Sequence, residues 1–437
     1  MNSVELNMAK PGVSPAFRVV VARGLSSTAT FAVLPYLAVV ILDGHLASAS
    51  LAAMVVGIYV LCLRAGGIIS GLVVHVLGAR RPLPWLYLAA AAFLVLGMVA
   101  MGARLPLGFL AVALFANALS VAVANVLTKA TIAAAADDRQ RVLAFGALSR
   151  AINGGAAVGG LAGSVAAPHG TLAVLLPASL LVALAGISCL RLPKVRADAV
   201  AVHVTVGAGA WGRRITFVVA TAMVWLAYVQ FFAVLPVYAR GTPAEEWVGV
   251  AFAVNAVMIV GLQQFVLKHA APMFDRVSHQ WRVYLAACGC IGLSLVLLCA
   301  IRTAAWPLLF AAIVLLTISE LFWSPLLDAW TASVFGPKNL LGAYTITGLA
   351  WGGAEALGSS LSIPVAAGSL PGVPWYAALV VSGVVVIAAA LCLRSAIDDQ
   401  AVAGRAHSRR LARRKGKREA ASGGDAPTPT LSYRLFR

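Results

Sequence analysis

Twelve apolar runs of about 20 residues, bounded by charges or by Gly and Pro clusters, fill most of the chain between residues 17 and 394. They fall at 17–42, 51–77, 83–102, 107–135, 142–167, 171–191, 214–239, 247–271, 283–301, 306–334, 340–367 and 374–394. A helix that crosses a bilayer needs about 20 mostly apolar residues. Only 11% of the 437 residues are charged and 61% are hydrophobic, whereas a soluble domain carries about 25% charged residues. There is too little charge to cover a surface facing water. A set of soluble domains is excluded, and the pattern predicts an all-α membrane protein with twelve transmembrane helices.

The formal net charge of +18 raises the question of nucleic acid, and its placement answers it. Ten basic residues lie beyond Ser395, in a stretch rich in Arg, Gly, Ser and Pro that is expected to be a disordered basic tail over 395–437. Most of the others flank apolar runs. Arg80, Arg81, Arg139, Arg141, Arg191 to Arg214, Arg276, Arg282 and Lys338 mark one side, whereas the opposite loops hold only Arg104, Arg240 and Arg302. This is the positive-inside pattern. It predicts both termini in the cytoplasm and a multi-pass protein of the inner (plasma) membrane, without a nucleic-acid partner. Val19 to Leu42 is too long for a signal peptide and is expected to be retained as the first span.

No cofactor or metal is expected. The six cysteines all fall in apolar segments, where they read as inert core residues. Cys288 and Cys290 point about 200° apart on a helix and cannot share one metal. The seven histidines are scattered and no phosphate-binding G-x-x-x-x-G-K-[ST] sequence occurs, so neither an enzyme nor an ATP-driven pump is expected.

An internal repeat organises the runs. Phe31–Ala38 reads FAVLPYLA and Phe232–Ala239 reads FAVLPVYA, with Pro35 and Pro236 201 residues apart. Asn153–Gly159 reads NGGAAVG and Trp351–Gly358 reads WGGAEALG, at nearly the same offset. Six spans separate the copies, so the halves share one orientation, as in transporters built from parallel repeats. The expected organisation is a six-helix bundle over residues 1–191, a cytoplasmic linker at 192–213, a second six-helix bundle at 214–394, and the tail.

Several motifs resemble those of the major facilitator superfamily, whose loop between spans two and three reads roughly G-x-x-x-D-x-x-G-R-[KR]. Here Gly71, Gly78, Arg80 and Arg81 match, while His75 stands at the acidic position. Asp275-Arg276 is a looser copy in the second half. Arg150, Asn153, Gly155, Gly159 and Gly163 are similar to the glycine-rich antiporter motif of drug-efflux members. The Arg23-Gly-Leu-Ser segment, Leu34-Pro35-Tyr36 and Ser319-Glu320-Leu with Pro325 also resemble bacterial efflux-like members. The resemblance implies two bundles rocking about a midplane site, with the loop acid latching the outward-open state. His75 then means either a weakened latch or a pH-sensitive one. The glycines recur every fourth residue, which lets helices approach closely. That stripe serves either fixed packing or a sliding contact during switching.

Ionisable residues inside a bilayer are expensive and are functional candidates. The basic ones, Arg23, Arg64, Lys129 and Arg150, lie in the first half, and the acidic ones, Glu320, Asp328 and Glu355, in the second. Arg23 and Lys129 either face an anionic substrate or snorkel to the interface, and the same choice applies to Arg150. Glu320 and Glu355 are mid-span, where an acid either takes up and releases a proton in each cycle or pairs with a first-half arginine. Asp328 follows Glu320 by eight residues, which is about 12 Å along a helix, as a relay or an entrance charge. Gln230, Asn153 and Trp323 are further substrate contacts, with helix bridging or core packing as their alternatives. Pro35 and Pro236 are expected to kink their helices.

The expected function is proton-coupled export of a small amphipathic organic solute by a monomeric secondary transporter embedded in the lipid bilayer. The alternatives are proton symport importing an anionic nutrient, and a transporter-like sensor or assembly partner that transports nothing.

Overall fold

The computed structural model of the protein describes residues 15–77, 82–135, 138–192, 211–274, 277–335, 340–368, 375 and 379–391. Every element among them is helical. Helix α1 (Pro15–Val33) passes through a 3-10 turn at Leu34–Tyr36 into α2 (Leu37–Asp43). It is followed by α3 (Ala49–Arg64), α4 (Gly66–Leu77), α5 (Pro82–Gly102), α6 (Leu107–Ala135), α7 (Asp138–Ala166) and α8 (Thr171–Cys189). After residues 193–210, α9 (Trp211–Val229) runs through a π-helical turn at Gln230–Val234 into α10 (Leu235–Ala239). Then come α11 (Val248–Phe274), α12 (Val277–Cys299), α13 (Ile301–Phe335), α14 (Leu340–Ala366) and α15 (Leu379–Leu391).

Local chemistry accounts for the breaks. Pro35 and Pro236, the paired prolines of the repeat, sit where α1 passes through a 3-10 turn and where the π turn passes into α10. A proline lacks the N–H that an α-helix needs and clashes with the preceding turn, and 3-10 or π geometry absorbs the misfit. Helix α3 opens at Ser48, whose hydroxyl accepts the Leu51 N–H at 3.4 Å, and Gly170, at φ +90°, leads into α8.

Among the described residues, eight helices are long and apolar enough to cross a membrane. The other expected spans are helical where described. Ala49–Arg64 is short, and of the last span only Leu379–Leu391 lies among the described residues. Asp138–Ala166 and Leu340–Ala366 are long, but Gly, Ser and Trp dilute their apolar character. The outer faces suit lipid. Leu172, Leu176, Leu180 and Leu184 step by four along α8, each more than half exposed. Such a row is a liability in water and neutral among lipid tails.

Within the first half, α1 packs on α6, α7 and α8, α5 lies between α6 and α8, and α3 and α4 pack on α6. In the second half, α12 and α11 pack on α13, and α14 packs on α9. Two broad seams join the halves, α3 and α4 against α14, and α7 against α11, with a smaller contact of α2 and the Leu34–Tyr36 turn against α10 and the π turn. The glycine stripe lies in neither. A Cβ at Gly155 would stand 2.6 Å from the Gly24 carbonyl oxygen, and one at Gly163 2.6 Å from that of Ala32. The stripe therefore fixes α7 onto α1 inside one half. The face of α7 that meets the other half is carried instead by Gly160 and Ser164, against Phe252 and Gly249.

Candidate functional site

Between the two seams lies a cavity of about 270 Å³, at the small end of the range of roughly 300–1,000 Å³ typical of ligand pockets. Helix α1 contributes Arg23, Ser27, Thr30 and Phe31; α3 contributes Leu63 and Arg64; α6 and α7 add Asn125, Asn153 and Ala156. From the other half come Trp225, Tyr228 and Phe232, with Asn255 on α11, Glu320 on α13 and Glu355 on α14. Both halves therefore supply charged groups to one space.

Arg64 ends α3, and its guanidinium forks onto Glu355: Nε donates to Oε2 at 3.1 Å and Nη2 to Oε1 at 2.8 Å. The same guanidinium lies 4.5 Å above the centre of the Trp225 ring, a cation–π contact. Gly352 makes the approach possible, since a Cβ there would stand 2.7 Å from the Arg64 Cβ. Trp351 stacks on Trp225 at 5.4 Å and donates its indole N–H to Thr221 Oγ1 at 3.1 Å. The WGGAE portion of the repeated motif thus builds a charge pair across the halves and the aromatic plate beneath it.

Glu320 is held differently. Its Oε2 accepts the Tyr228 hydroxyl at 2.7 Å, and no basic group among the described residues pairs with it. Tyr228 is wedged between Trp225 at 5.1 Å and Phe232 at 4.7 Å, and Phe232 stacks on Phe252 at 5.4 Å. Phe31 meets Phe232 edge-on at 6.1 Å. Those two phenylalanines open the two copies of the repeated motif, so the repeat places matching rings against each other at the cavity wall.

Arg23 faces the cavity without an acidic partner among the described residues. Its electrostatic neighbours are Tyr87 and Arg64. The Asn125 side-chain oxygen is buried and accepts no hydrogen bond in the structure.

The remaining expected site residues separate clearly. Asn153 lines the cavity; its amide donates to the Ser149 carbonyl at 3.1 Å. Gln230 is fully buried in the π turn, where its amide donates to Ser362 at 2.9 Å and accepts from Trp375 at 3.4 Å. It bridges helices and does not line the cavity. Trp323 is buried behind the wall, edge-on to Trp225 at 5.3 Å. Lys129 and Arg150 occupy exposed positions on α6 and α7, outside the cavity. The side chains of His75 and Asp328, the surroundings of Gly71, and residues Gly78, Arg80, Arg81, Asp275 and Arg276 lie outside what the structure describes. So do most of the expected linker and all of the tail. Tyr228 went unnoticed in the sequence, where a lone tyrosine in an apolar run carries no signal. The pairing of a mid-span acid with a first-half arginine, one of the two alternatives the sequence offers, is realised by Arg64 and Glu355.

No family model matches the sequence, and no curated protein does either. Solved structures do match. A crystal structure of the peptide transporter POT in complex with sulfate aligns with a TM-score of 0.71 at 14% identity, covering 88% of this chain and 94% of that one. A POT family transporter in complex with 5-aminolevulinic acid gives 0.69 at 12% identity, covering 88% and 96%. The nucleoside transporter NupG gives 0.68 at 12% identity, covering 88% and 100%. These neighbours are transporters rather than enzymes. The chain shares their fold, a multi-pass helical membrane architecture.

Proposed function

We propose that the protein is a monomeric secondary active transporter that moves a small amphipathic organic solute by alternating access, driven by protons taken up at Glu320. Two six-helix bundles, 1–191 and 214–394, would rock about the central cavity, with both termini in the cytoplasm and the chain in the inner membrane. The observation that carries the reading is Glu320: an acid facing a cavity between the halves, hydrogen-bonded to Tyr228 and matched by no cation among the described residues. Phe31 meets Phe232, and Asp43 pairs with Arg240, across the halves, and on this reading they seal one end of the cavity. The opposite, cytoplasmic end is then the route of access.

Export is the direction implied by the efflux-like motifs, and it requires solute and proton to exchange. Arg23 favours the second reading, symport of an anion. The charged and titratable groups around Glu320 are Tyr228 on α9, Glu355 on α14, Arg64 on α3 and Arg23 on α1, while α11 offers only Asn255. Arg64 and Glu355 cancel each other. With Glu320 protonated the cavity carries one net positive charge, and with Glu320 ionised it carries none. An anion therefore binds best to the protonated form, so anion and proton travel together. Expected in proteoliposomes of the full chain: Glu320→Gln exchanges labelled phenylacetate but does not concentrate it against an imposed proton gradient. Normal uphill accumulation by that variant overturns the assignment.

A further inference from the structure

We propose that the solute is a compact organic monoanion with a planar aromatic body, bound with its carboxylate on Arg23 and its ring against Phe31, Tyr228 and Phe232. This deepens the symport reading and rests on the central cavity being the transport site. Four observations converge on it. First, Arg23 is the cavity cation left over once Arg64 is taken by Glu355 through two hydrogen bonds at 2.8 and 3.1 Å. A guanidinium presents a planar fork that matches a carboxylate with two parallel bonds. One leftover cation fits a monoanion better than a dianion.

Second, one cavity acid is already paired and the other takes up the coupling proton, so the protonated cavity holds no unpaired negative charge for an organic cation. Glu355 is occupied by Arg64, and Glu320 accepts the Tyr228 hydroxyl at 2.7 Å. Third, the wall beside these groups is aromatic. Phe232 has one face stacked on Phe252 and its neighbours Phe31 and Tyr228 at 6.1 and 4.7 Å, a surface suited to edge-to-face or offset contact with a flat ring. Fourth, the volume of about 270 Å³ holds a one- or two-ring solute and excludes a bulky one. The unpartnered Asn125 oxygen, buried at the cavity edge, adds that the solute carries an N–H or O–H donor beside the ring or the carboxylate, because a buried acceptor left unpaired costs about 1–3 kcal/mol.

The test is equilibrium binding to the purified full chain, with tryptophan fluorescence as readout. The probes are phenylacetate, its neutral isostere phenylacetamide, the cation phenethylamine, and acetate, which lacks the ring. Expected: phenylacetate binds at least tenfold tighter than each of the other three. Arg23→Gln erases the preference for phenylacetate over phenylacetamide, and Arg23→Lys keeps part of it. The proposal is overturned if phenylacetamide or phenethylamine binds as tightly as phenylacetate, if acetate does, if phenylacetate does not bind, or if Arg23→Gln keeps the tenfold preference. The wild-type series decides the matter even where Arg23→Gln fails to fold. The carrier reading fails by a different result, uphill accumulation by Glu320→Gln, so the two failures are distinguishable.

Discussion

Glu355 and Glu320 look alike in the sequence, each an acid in the middle of an apolar run of the second half, yet the protein treats them in opposite ways. Glu355 is gripped from the other half by Arg64, which itself rests on Trp225. Glu320 meets a neutral phenol from its own half. The contrast separates two jobs. An acid clamped by a fork of two charge-assisted bonds ties the halves together. An acid that meets neutral donors strands no cation when it is protonated, so it can change state while the rest of the site stays in place.

The largest break in that comparison comes from removing one member of the clamp. Arg64→Ala leaves Glu355, whose side chain is only 9% exposed, without its partner. Breaking a buried pair costs about 3–5 kcal/mol; because the Arg64 side chain is 33% exposed, a loss of about 2–3 kcal/mol is expected in thermal unfolding of the detergent-purified protein. Replacing both partners with apolar residues, Arg64→Met with Glu355→Leu, recovers most of that loss, since the stranded charge is gone. Glu320→Gln gives the reverse pattern, with a smaller change in stability than Arg64→Ala, since no ion-pair partner is stranded, and no uphill transport. If the two acids gave the same pattern, the division of labour drawn here would be wrong.

A milder variant sharpens the Glu320 side. Tyr228→Phe removes the hydroxyl that donates to the acid while keeping the ring contacts with Trp225 and Phe232. A bond from a neutral donor to a charged acceptor contributes about 1.5–3 kcal/mol to the ionised form. Proton release should slow, so net uphill accumulation of phenylacetate falls several-fold while solute exchange at equal pH continues. Equal losses in both assays would mean that the Tyr228 hydroxyl acts on the bound solute instead of on the acid.

How far this was legible in the sequence depends on the range of the interaction. Apolar runs report helices because a bilayer imposes length and composition locally. Pro35 and Pro236 reported the 3-10 and π turns because proline acts on its own turn. The glycine stripe of α7 announced a close approach but not its partner, which turned out to be α1 of the same half. Arg64 and Glu355 are 291 residues apart, and no local pattern encodes which of four basic residues reaches which of three acidic ones. Lys129 and Arg150 were indistinguishable from Arg23 by depth alone. What separates them is the rotation of α6 and α7 about their axes, which depends on packing across the whole half.

The smallest expected effect belongs to the other cross-half ion pair. Asp43 closes α2 and Arg240 follows α10, so the pair joins the ends of the two helices that carry the repeated proline motif. Its chemistry matches that of Arg64–Glu355, but its side chains are 35% and 43% exposed. Exposed pairs contribute about 0–1 kcal/mol, and salt screens them over about 8 Å at physiological ionic strength. Asp43→Asn should therefore leave thermal stability unchanged within error. It acts only at the sealed end, where 1 kcal/mol alters the balance between two conformations about fivefold. The expected result is a change of at most about fivefold in the rate of phenylacetate accumulation, shrinking as salt is raised, with the charge swap Asp43→Arg and Arg240→Asp restoring the original rate. A tenfold or larger loss that is insensitive to salt would mean that this pair is shielded during the transport cycle. The distinction between a clamp inside the cavity and a light seal at its end would then fall.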